Sequence, residues 1–470
     1  MDTTPTTPST PCPKCAPLFA QLATKVERLE KRIIELETRL QQNSSNSSKP
    51  PSSDPPFQKP SSTRPKSDRK PGGQPGHMGC TRKPLAPEAI TDIQILLPLK
   101  CGACGHRLPK KPGKMDPAMK HHQVIEIPPM TPEVTEYQIH GRCCSSCGKI
   151  TWGILPEGIH GCFGPRLTAW VAYLSGRFHM SKRNIQEALE AIMGVHISLG
   201  SVSLKEVEVS QALGLAWEEA LQEVRKAPVK NADETGWFLS GKLKWLWAAV
   251  SAKASVFLIQ DRRNQKAMKR LLGEKVQGFV GSDRFGAYTP IPNGQRQLCW
   301  AHLIRDLQGL VDGGTKPGVQ TGKAGLRLSR KVFKRWGQFQ EGKMGRKRLM
   351  AHMEGLNKRM EKILRRGREG PDKKTARFCG RVLKLQEALW TFAREEGVEP
   401  TNNAAERAVR PAVLWRKSSY GNRSESGCRF VERILTAVQT LRLQNRNVLD
   451  YLTLAVEASR LRRPCLSLVG

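Results

Sequence analysis

Acidic side chains are scarce in this chain. Its 470 residues include 42 Asp and Glu against 77 Lys and Arg, which gives a formal net charge of +35 at pH 7. So large an excess of positive charge favours a polyanion as the partner. Ribosomal and membrane-surface proteins share such basic surfaces, so charge alone does not identify that partner.

Long apolar runs are missing as well. No stretch of about eighteen apolar residues occurs, which excludes an ordinary transmembrane helix. The N-terminus lacks the charged-then-apolar pattern of a signal peptide. We therefore expect no membrane partner and a soluble, cytoplasmic protein. Its 13 cysteines, several in CxxC pairs, then indicate reduced thiols and metal binding rather than disulfides.

The N-terminal segment, residues 1–42, has a heptad pattern. Its apolar side chains alternate spacings of three and four, with charged residues between them: Phe19, Leu22, Val26, Leu29, Ile33, Leu36 and Leu40. This register predicts a coiled coil, or zipper, and hence a homo-oligomer. A single amphipathic helix packed on the rest of the protein is the alternative. Cys12 and Cys15 form half of a possible metal site.

Residues 43–90 form a basic linker rich in Pro, Ser and Gly. Such a composition cannot bury a core, so we expect the linker to be disordered. Its basic side chains would either follow a DNA groove or belong to a passive tether.

Two CxxC pairs mark residues 91–155. Strand-like segments separate the pairs, and Gly follows each one. The spacing predicts a zinc ribbon with one structural Zn²⁺ in a closed set of four thiolates: Cys101, Cys104, Cys144 and Cys147.

Residues 160–225 have a helical pattern. Two amphipathic helices surround a turn at Gly194, and the second begins near Ser198 or Ser201. This arrangement is similar to a helix-turn-helix, whose second helix enters the major groove of DNA. An ordinary helical bundle is the alternative. The candidate DNA contacts here are Lys182, Arg183 and Lys205.

Residues 228–440 predict a mixed α and β domain. Residues 229–260 form three strands with turns at Gly236 and Gly241, the first strand closing on Asp233; a helix and a short strand ending on Asp283 follow. This order is typical of the RNase H-like, or retroviral-integrase-like, fold. Its first and fourth strands lie side by side, which would bring the two aspartates together. Residues 297–310 would add a fifth strand and begin a helix.

The third candidate carboxylate is Glu406, in NNAAERAVRP. Either Asn402 or Asn403 suits the N-cap of a helix, and Asn403 with Glu406 also has the spacing of a capping box. The catalytic interpretation is favoured because Glu406 follows Asp233 and Asp283 in the right order. Three carboxylates could hold two Mg²⁺ or Mn²⁺ ions about 3.5–4 Å apart for cutting and joining DNA.

A basic helical insertion is predicted at about residues 315–397, and a helical tail at 441–470. The whole chain is thus expected to be multidomain α+β, with the zipper, linker, zinc ribbon and helical domain preceding the RNase H-like core.

Several motifs follow one another along nearly the whole chain: NSSKPPSSD, GGQPGH, the paired CxxC knuckles, DETGW, SDRFGAY, CWAHLIRDL and NNAAERAVRPAVLWRKSSYGNRSESG. This series closely resembles the insertion-sequence sixty-six family of bacterial DDE transposases (TnpC type). The resemblance implies a transposase that binds the terminal inverted repeats of its element. It would cleave there and join the 3′-hydroxyl ends to target DNA at the bacterial nucleoid, with small accessory proteins as possible partners.

Carried over to this sequence, the resemblance gives the triad roles to Asp233, Asp283 and Glu406. It also makes Trp300 and His302 supporting residues, although His302 suits a satisfied core histidine equally well. Four basic residues around the third carboxylate would neutralise DNA phosphates: Arg407, Arg410, Arg416 and Lys417. We expect Pro411 to end or kink the helix and the following basic residues to form a strand.

Two other classes of protein remain as alternatives. A zinc-ribbon and helix-turn-helix regulator would bind DNA without cutting it, and would need no clustered carboxylates. An RNase H-like nuclease would use the same carboxylates on an RNA strand, but would have little use for a zipper and two DNA-binding modules.

Overall fold

The computed structural model describes residues 16–43, 47–49, 76–79, 82–111, 113, 117 and 119–470. Cys12, Cys15 and most of the predicted linker lie outside the described residues. The chain divides into two units: Ser62–Glu133 alone, and Met1–Ser61 together with Val134–Gly470.

The smaller unit contains a 3-10 helix, Pro87–Ala89, and a bridge between Lys100 and Arg107. The Gln123 side chain makes two hydrogen bonds with the main chain of Leu85. Its Oε1 accepts from the Leu85 N–H over 2.7 Å, and its Nε2 donates to the Leu85 carbonyl over 3.1 Å. These side chain to main chain bonds connect two segments of a unit whose described residues include no β-strand.

The larger unit begins with helix α1, Ala16–Leu40. Its seven heptad positions are 43–85% exposed, so no other described part of the chain covers the apolar stripe. A short hairpin of β1, Gly141–Cys143, and β2, Ile150–Trp152, carries the second CxxC turn.

Four helices follow the hairpin: α2 Pro165–Phe178, α3 Lys182–Met193, α4 Leu199–Ala212 and α5 Gly214–Lys226. Helix α3 ends at Gly194, whose φ of +65° favours glycine. Helix α4 begins after Ser198, whose hydroxyl accepts from the Ser201 N–H. Both ends lie where the sequence predicts them, because each depends on a local capping residue. A small apolar core joins the first three helices: Val171, Ile185, Leu189, Ile197 and Val202.

A five-stranded mixed sheet forms the centre of the larger unit. Its elements in chain order are β3 Val229–Leu239, β4 Lys242–Val250, β5 Ser255–Gln260, helix α6 Gln265–Leu272, β6 Phe279–Ser282 and β7 Arg296–Leu298. The spatial order is β5-β4-β3-β6-β7, in which β3, β4 and β5 are antiparallel while β6 is parallel to both β3 and β7. The first and fourth strands of the series are therefore neighbours, as the sequence predicts.

The turn predicted at Gly236 is wrong. Strand β3 continues through Asp233 and Gly236 to Leu239, and Gly236 pairs with Trp245 in the β3–β4 ladder. Gly236 lies beside the Arg416 guanidinium instead, where a Cβ would come 3.0 Å from Nη1. The tight turn lies at Gly241, whose φ is +77°.

Helices occupy most of the chain between β7 and residue 402: α7 Trp300–Asp312, α8 Lys316–Gln340, α9 Arg346–Glu369, α10 Lys373–Lys384 and the short α11 Thr391–Arg394. They have an apolar core of their own, separate from the one around the sheet.

Three helices complete the larger unit: α12 Asn403–Ser419, α13 Glu425–Leu443 and α14 Val448–Arg460. Pro411 does not end α12, and the residues expected to form a strand lie in the last turns of this helix. The missing Pro N–H leaves the Arg407 carbonyl without its helical donor. Burial of Ala412 and Trp415 on the following turn stabilises the helix past that point.

Helix α13 covers strand β5, where the Thr436 and Thr440 hydroxyls accept from main-chain N–H groups of the strand. Helix α14 packs on α2 and α4, and the buried Arg460 pairs with Glu208 over 2.8 Å. Among the described helices, none is both long enough and apolar enough to span a bilayer.

Candidate functional site

Asp233 and Asp283 lie on neighbouring parallel strands. Asn231 of β3 pairs with Gly281 of β6, and each aspartate comes two residues later along its strand direction. Because parallel strands advance together, the two aspartates reach the same level of the sheet. A Cβ at Gly281 would lie 2.1 Å from Oδ1 of Asn231, so only glycine allows this approach.

Asn402 fastens the start of α12 beside Asp233. Its Nδ2 donates to the Ala232 carbonyl over 2.8 Å, and its main-chain N–H donates to Sγ of Cys299 over 3.2 Å. Asn402 occupies the N-cap position without capping through its side chain. Glu406, in the first turn of this helix, lies close enough for its charge to act on Asp233.

The capping-box alternative for Glu406 has no support in the geometry. No side-chain hydrogen bond caps the beginning of α12, and Asn403 is an exposed residue inside the helix. Oε1 of Glu406 instead lies 3.5 Å from Nδ1 of His302.

Burial and neighbouring negative charge both act on Asp233. Burial raises the pKa of Asp233 to about 8, and the negative charges of Glu234, Asp283 and Glu406 act in the same direction. Burial and these neighbouring charges both favour the protonated form of the Asp233 carboxyl. Carboxylate oxygens are the ligands that a divalent cation such as Mg²⁺ prefers. The residues present therefore fit such an ion.

Glu234 is a fourth carboxylate, which the sequence analysis missed. Its side chain is fully buried; Oε1 accepts from Nε of Arg263 over 2.7 Å and Oε2 from the Tyr288 hydroxyl over 2.6 Å. Arg263 also lies 3.7 Å from Oδ2 of Asp283 and stacks on the Phe285 ring. Glu234 thus orients an arginine toward the second aspartate. The Asp-Glu pair in DETGW was the available signal.

The two predicted supporting residues have different surroundings. The Trp300 indole is fully buried, donates to the Leu389 carbonyl over 2.8 Å and contacts Trp390 edge-on, so it packs in the helical core. His302 faces the site. Its ligand atom lies within 4.8 Å of those of Cys299 and Glu406. The three triad carboxylates do not form an equally tight group in the described part of the chain.

The predicted DNA-binding residues on α12 fall into two groups. Arg407, Arg410 and Lys417 are exposed on one helical face and have no ion-pair partner among the described residues. Arg416 is different, because its guanidinium donates to the Gly236 carbonyl and to Oγ1 of Thr235. Arg416 therefore binds main chain in this structure.

The predicted contacts in the helical domain are also of two kinds. Lys182 donates to the Ser203 hydroxyl over 2.6 Å and pairs with Glu206, while Lys205 pairs with Glu208. Arg183 is exposed, with no such partner among the residues described. Of the three, Arg183 is thus the one free to meet a phosphate.

A basic cleft of about 560 Å³ lies between α9 and α10. Five cationic side chains line it: Arg365, Arg368, Arg377, Arg381 and Lys384. The first of these pairs with Glu361. The cleft suits an extended anion because its positive charge exceeds what that carboxylate offsets.

The two CxxC turns have the same main-chain geometry. The Cys101 N–H donates to the His106 carbonyl over 2.8 Å, and the Cys144 N–H donates to the Lys149 carbonyl over 2.9 Å. A glycine at positive φ follows each pair. Main-chain N–H groups lower the pKa of both thiols, which favours the metal-binding thiolate. Each turn by itself fits half of a zinc site.

Two family profiles match parts of this chain. The profile described as "Transposase IS66 family" matches residues 160–429, and that of a family of unknown function (DUF6444) matches residues 7–83. The "Uncharacterized protein y4qI" of Sinorhizobium fredii (strain NBRC 101917 / NGR234) is 26% identical over 296 residues, 57% of this chain and 54% of that protein. The chain thus spans about half the length of this curated relative. Because the transposase profile covers more than half of the chain, the chain belongs to the Transposase IS66 family.

Proposed function

We propose that this protein is a DDE transposase that cleaves DNA at the terminal inverted repeats of a bacterial insertion sequence and joins the 3′-hydroxyl ends to target DNA. One observation carries the proposal: Asp233 and Asp283 reach the same level on adjacent strands, and Asn402 fastens the helix of Glu406 beside them. Because the chain belongs to a transposase family, cleavage and joining of DNA is the chemistry expected of this carboxylate cluster.

The fold supports the proposal. The order β5-β4-β3-β6-β7, with an antiparallel meander and two parallel strands, is the arrangement expected of an RNase H-like core. Helices α8–α11 would then be an insertion between the fifth strand and the helix of the third carboxylate.

Asp233, Asp283 and Glu406 would hold two Mg²⁺ or Mn²⁺ ions. When bound, these ions supply Lewis-acid activation of water or a 3′-hydroxyl and stabilise the leaving oxygen. The chain's own residues orient the ligands: Asn402 fixes the helix of Glu406, and the Phe285 N–H donates to Oδ1 of Asp283 over 2.8 Å. Arg263, held by Glu234, would contact a phosphate that enters beside Asp283.

Duplex DNA is the proposed partner. The basic face of α12 begins one residue after Glu406, so phosphates bound there would place a strand next to the carboxylates. The helix-turn-helix-like pair α3 and α4 would read the element ends. The cleft between α9 and α10 would hold another stretch of backbone.

The N-terminal parts would organise the complex. A single structural Zn²⁺ would be held by the thiols of the two CxxC turns in a zinc ribbon. The exposed apolar stripe of α1 would pair with a second copy as a zipper, because burying those side chains stabilises the dimer. Small accessory proteins are further proposed partners.

The test is strand transfer of a pre-cut element end into plasmid DNA with Mg²⁺ or Mn²⁺. We expect joined product from the intact protein and none from Asp233→Asn, which keeps the side-chain shape but loses a charged ligand. Asp261→Asn is the matched control, because Asp261 is exposed and pairs with Lys244 at the surface. Tight specific DNA binding without product from the intact protein would favour a missing accessory protein or a non-catalytic regulator. Cleavage confined to RNA–DNA hybrids would indicate an RNase H-like nuclease.

A further inference from the structure

Cys299, His302 and Glu406 form a cluster of three different donor types. Cys299 is the N-cap residue of α7, His302 lies in the first turn of that helix, and Glu406 lies in the first turn of α12. Their ligand atoms all lie within 4.8 Å of one another. Two helix starts therefore bring sulfur, nitrogen and oxygen donors to one point.

The structure holds this cluster in place. Cys299 is 2% exposed, and its Sγ accepts a hydrogen bond from the Asn402 N–H over 3.2 Å. The same asparagine fastens α12 to β3. Asn402 thus contacts the thiol through its main-chain N–H and joins the start of the Glu406 helix to β3 through its side-chain amide.

Two buried polar atoms at the cluster lack partners. Nδ1 of His302 makes no hydrogen bond, although Oε1 of Glu406 is 3.5 Å away, and Oδ1 of Asn402 is also unpaired. Leaving a buried polar atom unsatisfied costs roughly 1–3 kcal/mol. A ligand placed between the imidazole and the carboxylate would relieve this cost at His302.

We propose that Cys299, His302 and Glu406 bind one thiophilic divalent ion of the Zn²⁺ class. Zn²⁺ accepts thiolate, imidazole and carboxylate together in tetrahedral sites, whereas Mg²⁺ prefers oxygen ligands alone. Three protein ligands leave a fourth position open to water or to a phosphate oxygen. On binding, the Cys299 thiol releases its proton to solvent.

The site shares Glu406 with the proposed magnesium pair. Since one carboxylate cannot serve both sets fully, Zn²⁺ and Mg²⁺ should compete for it. This competition rests on the proposed function, but the zinc-class site itself does not.

The test measures binding directly on the full-length reduced protein. Co²⁺ replaces Zn²⁺ as the probe, because a cobalt–thiolate bond gives a sulfur-to-metal charge-transfer absorption. We compare the intact protein with Cys299→Ser and Glu406→Gln for bound Co²⁺ by equilibrium dialysis. Cys379→Ser is the matched control, since Cys379 is also fully buried but lies in the core of the helical insertion. The thiols of the CxxC turns bind the same amount of Co²⁺ in every variant. Their contribution therefore cancels when a variant is compared with the intact protein.

We expect Cys299→Ser and Glu406→Gln each to bind one Co²⁺ fewer than the intact protein, and the difference spectrum for Cys299→Ser to show lost charge-transfer absorption. Cys379→Ser should match the intact protein. If Cys299→Ser does not fold, as judged by circular dichroism, His302→Gln replaces it and should lose the same ion. Unchanged Co²⁺ binding in folded Cys299→Ser or His302→Gln overturns the proposal. The two proposals can fail separately. If the variants lose the ion but the intact protein never joins DNA, the metal site is upheld and the transposase chemistry is contradicted.

Discussion

The side-chain amide of Asn402 donates to the main-chain carbonyl of Ala232 over 2.8 Å, joining the start of α12 to β3 one residue before Asp233. This buried bond sets the distance between the first and third carboxylates, so its loss should change both stability and metal binding.

Asn402→Ala should lower the free energy of unfolding by about 1–3 kcal/mol, because the Ala232 carbonyl is left buried without a donor. Strand transfer should fall with it, since Glu406 is no longer held. The neighbouring Asn403→Ala is the control, because Asn403 is exposed. Urea denaturation of the two variants measures the difference, and equal values would contradict a fastening role for Asn402.

Glu234→Ala should destabilise the protein more than the removal of an exposed carboxylate does. It leaves the Arg263 guanidinium and the Tyr288 hydroxyl without their shared acceptor, at an expected cost of about 3 kcal/mol. Glu274→Ala, which breaks only the surface pair with Lys269, should cost less than about 1 kcal/mol. Thermal unfolding monitored by circular dichroism would compare them; similar losses would show that Glu234 is not a structural anchor.

Substitutions of two arginines of α12 should affect different properties, DNA binding in one case and stability in the other. Arg410 is exposed, whereas Arg416 binds the Gly236 carbonyl. Arg410→Gln should weaken DNA binding and reduce the slope of log affinity against log salt by about one, with stability unchanged. Arg416→Gln should instead lower stability. Fluorescence anisotropy across a salt series, paired with urea denaturation, measures both, and the reversed pattern would refute the assignment.

Glu432 should make stability depend on pH. Burial raises its pKa to about 7 from an ordinary 4.5, although its carboxylate accepts from the Ile259 N–H over 2.6 Å. The folded state binds the proton more tightly, so the free energy of unfolding falls as pH rises between those two values. Glu432→Gln removes that penalty.

Urea denaturation should find Glu432→Gln more stable than the intact protein by about 3 kcal/mol near pH 8, with little difference near pH 4.5. The exposed Glu354→Gln serves as the control and should show no such trend. A destabilised Glu432→Gln at the higher pH would mean that the hydrogen bond from Ile259 outweighs the burial penalty.

Local patterns in the sequence were enough to predict the regular elements around the site. The strand series, the helix boundaries at Gly194 and Ser198, and the adjacency of β3 and β6 agree with the structure. Each depends on residue periodicity, capping chemistry or a common connection rule. The same local reasoning was wrong about the turn at Gly236 and about the strand expected after Pro411, a residue predicted to end or kink the helix. At both positions packing outweighs the local preference.

The sequence by itself determined the order of the candidate carboxylates along the predicted strands and helix. Its motifs also predicted the family to which the chain belongs. Only the tertiary structure decided what surrounds those carboxylates. Tyr288 reaches Glu234 across 54 positions of the chain, and Asn402 reaches Ala232 across 170. No spacing rule links residues so far apart; their contact arises when the sheet and α12 bury their apolar faces together. The Cys299, His302 and Glu406 cluster has the same origin, because two helix starts meet there only in the folded chain.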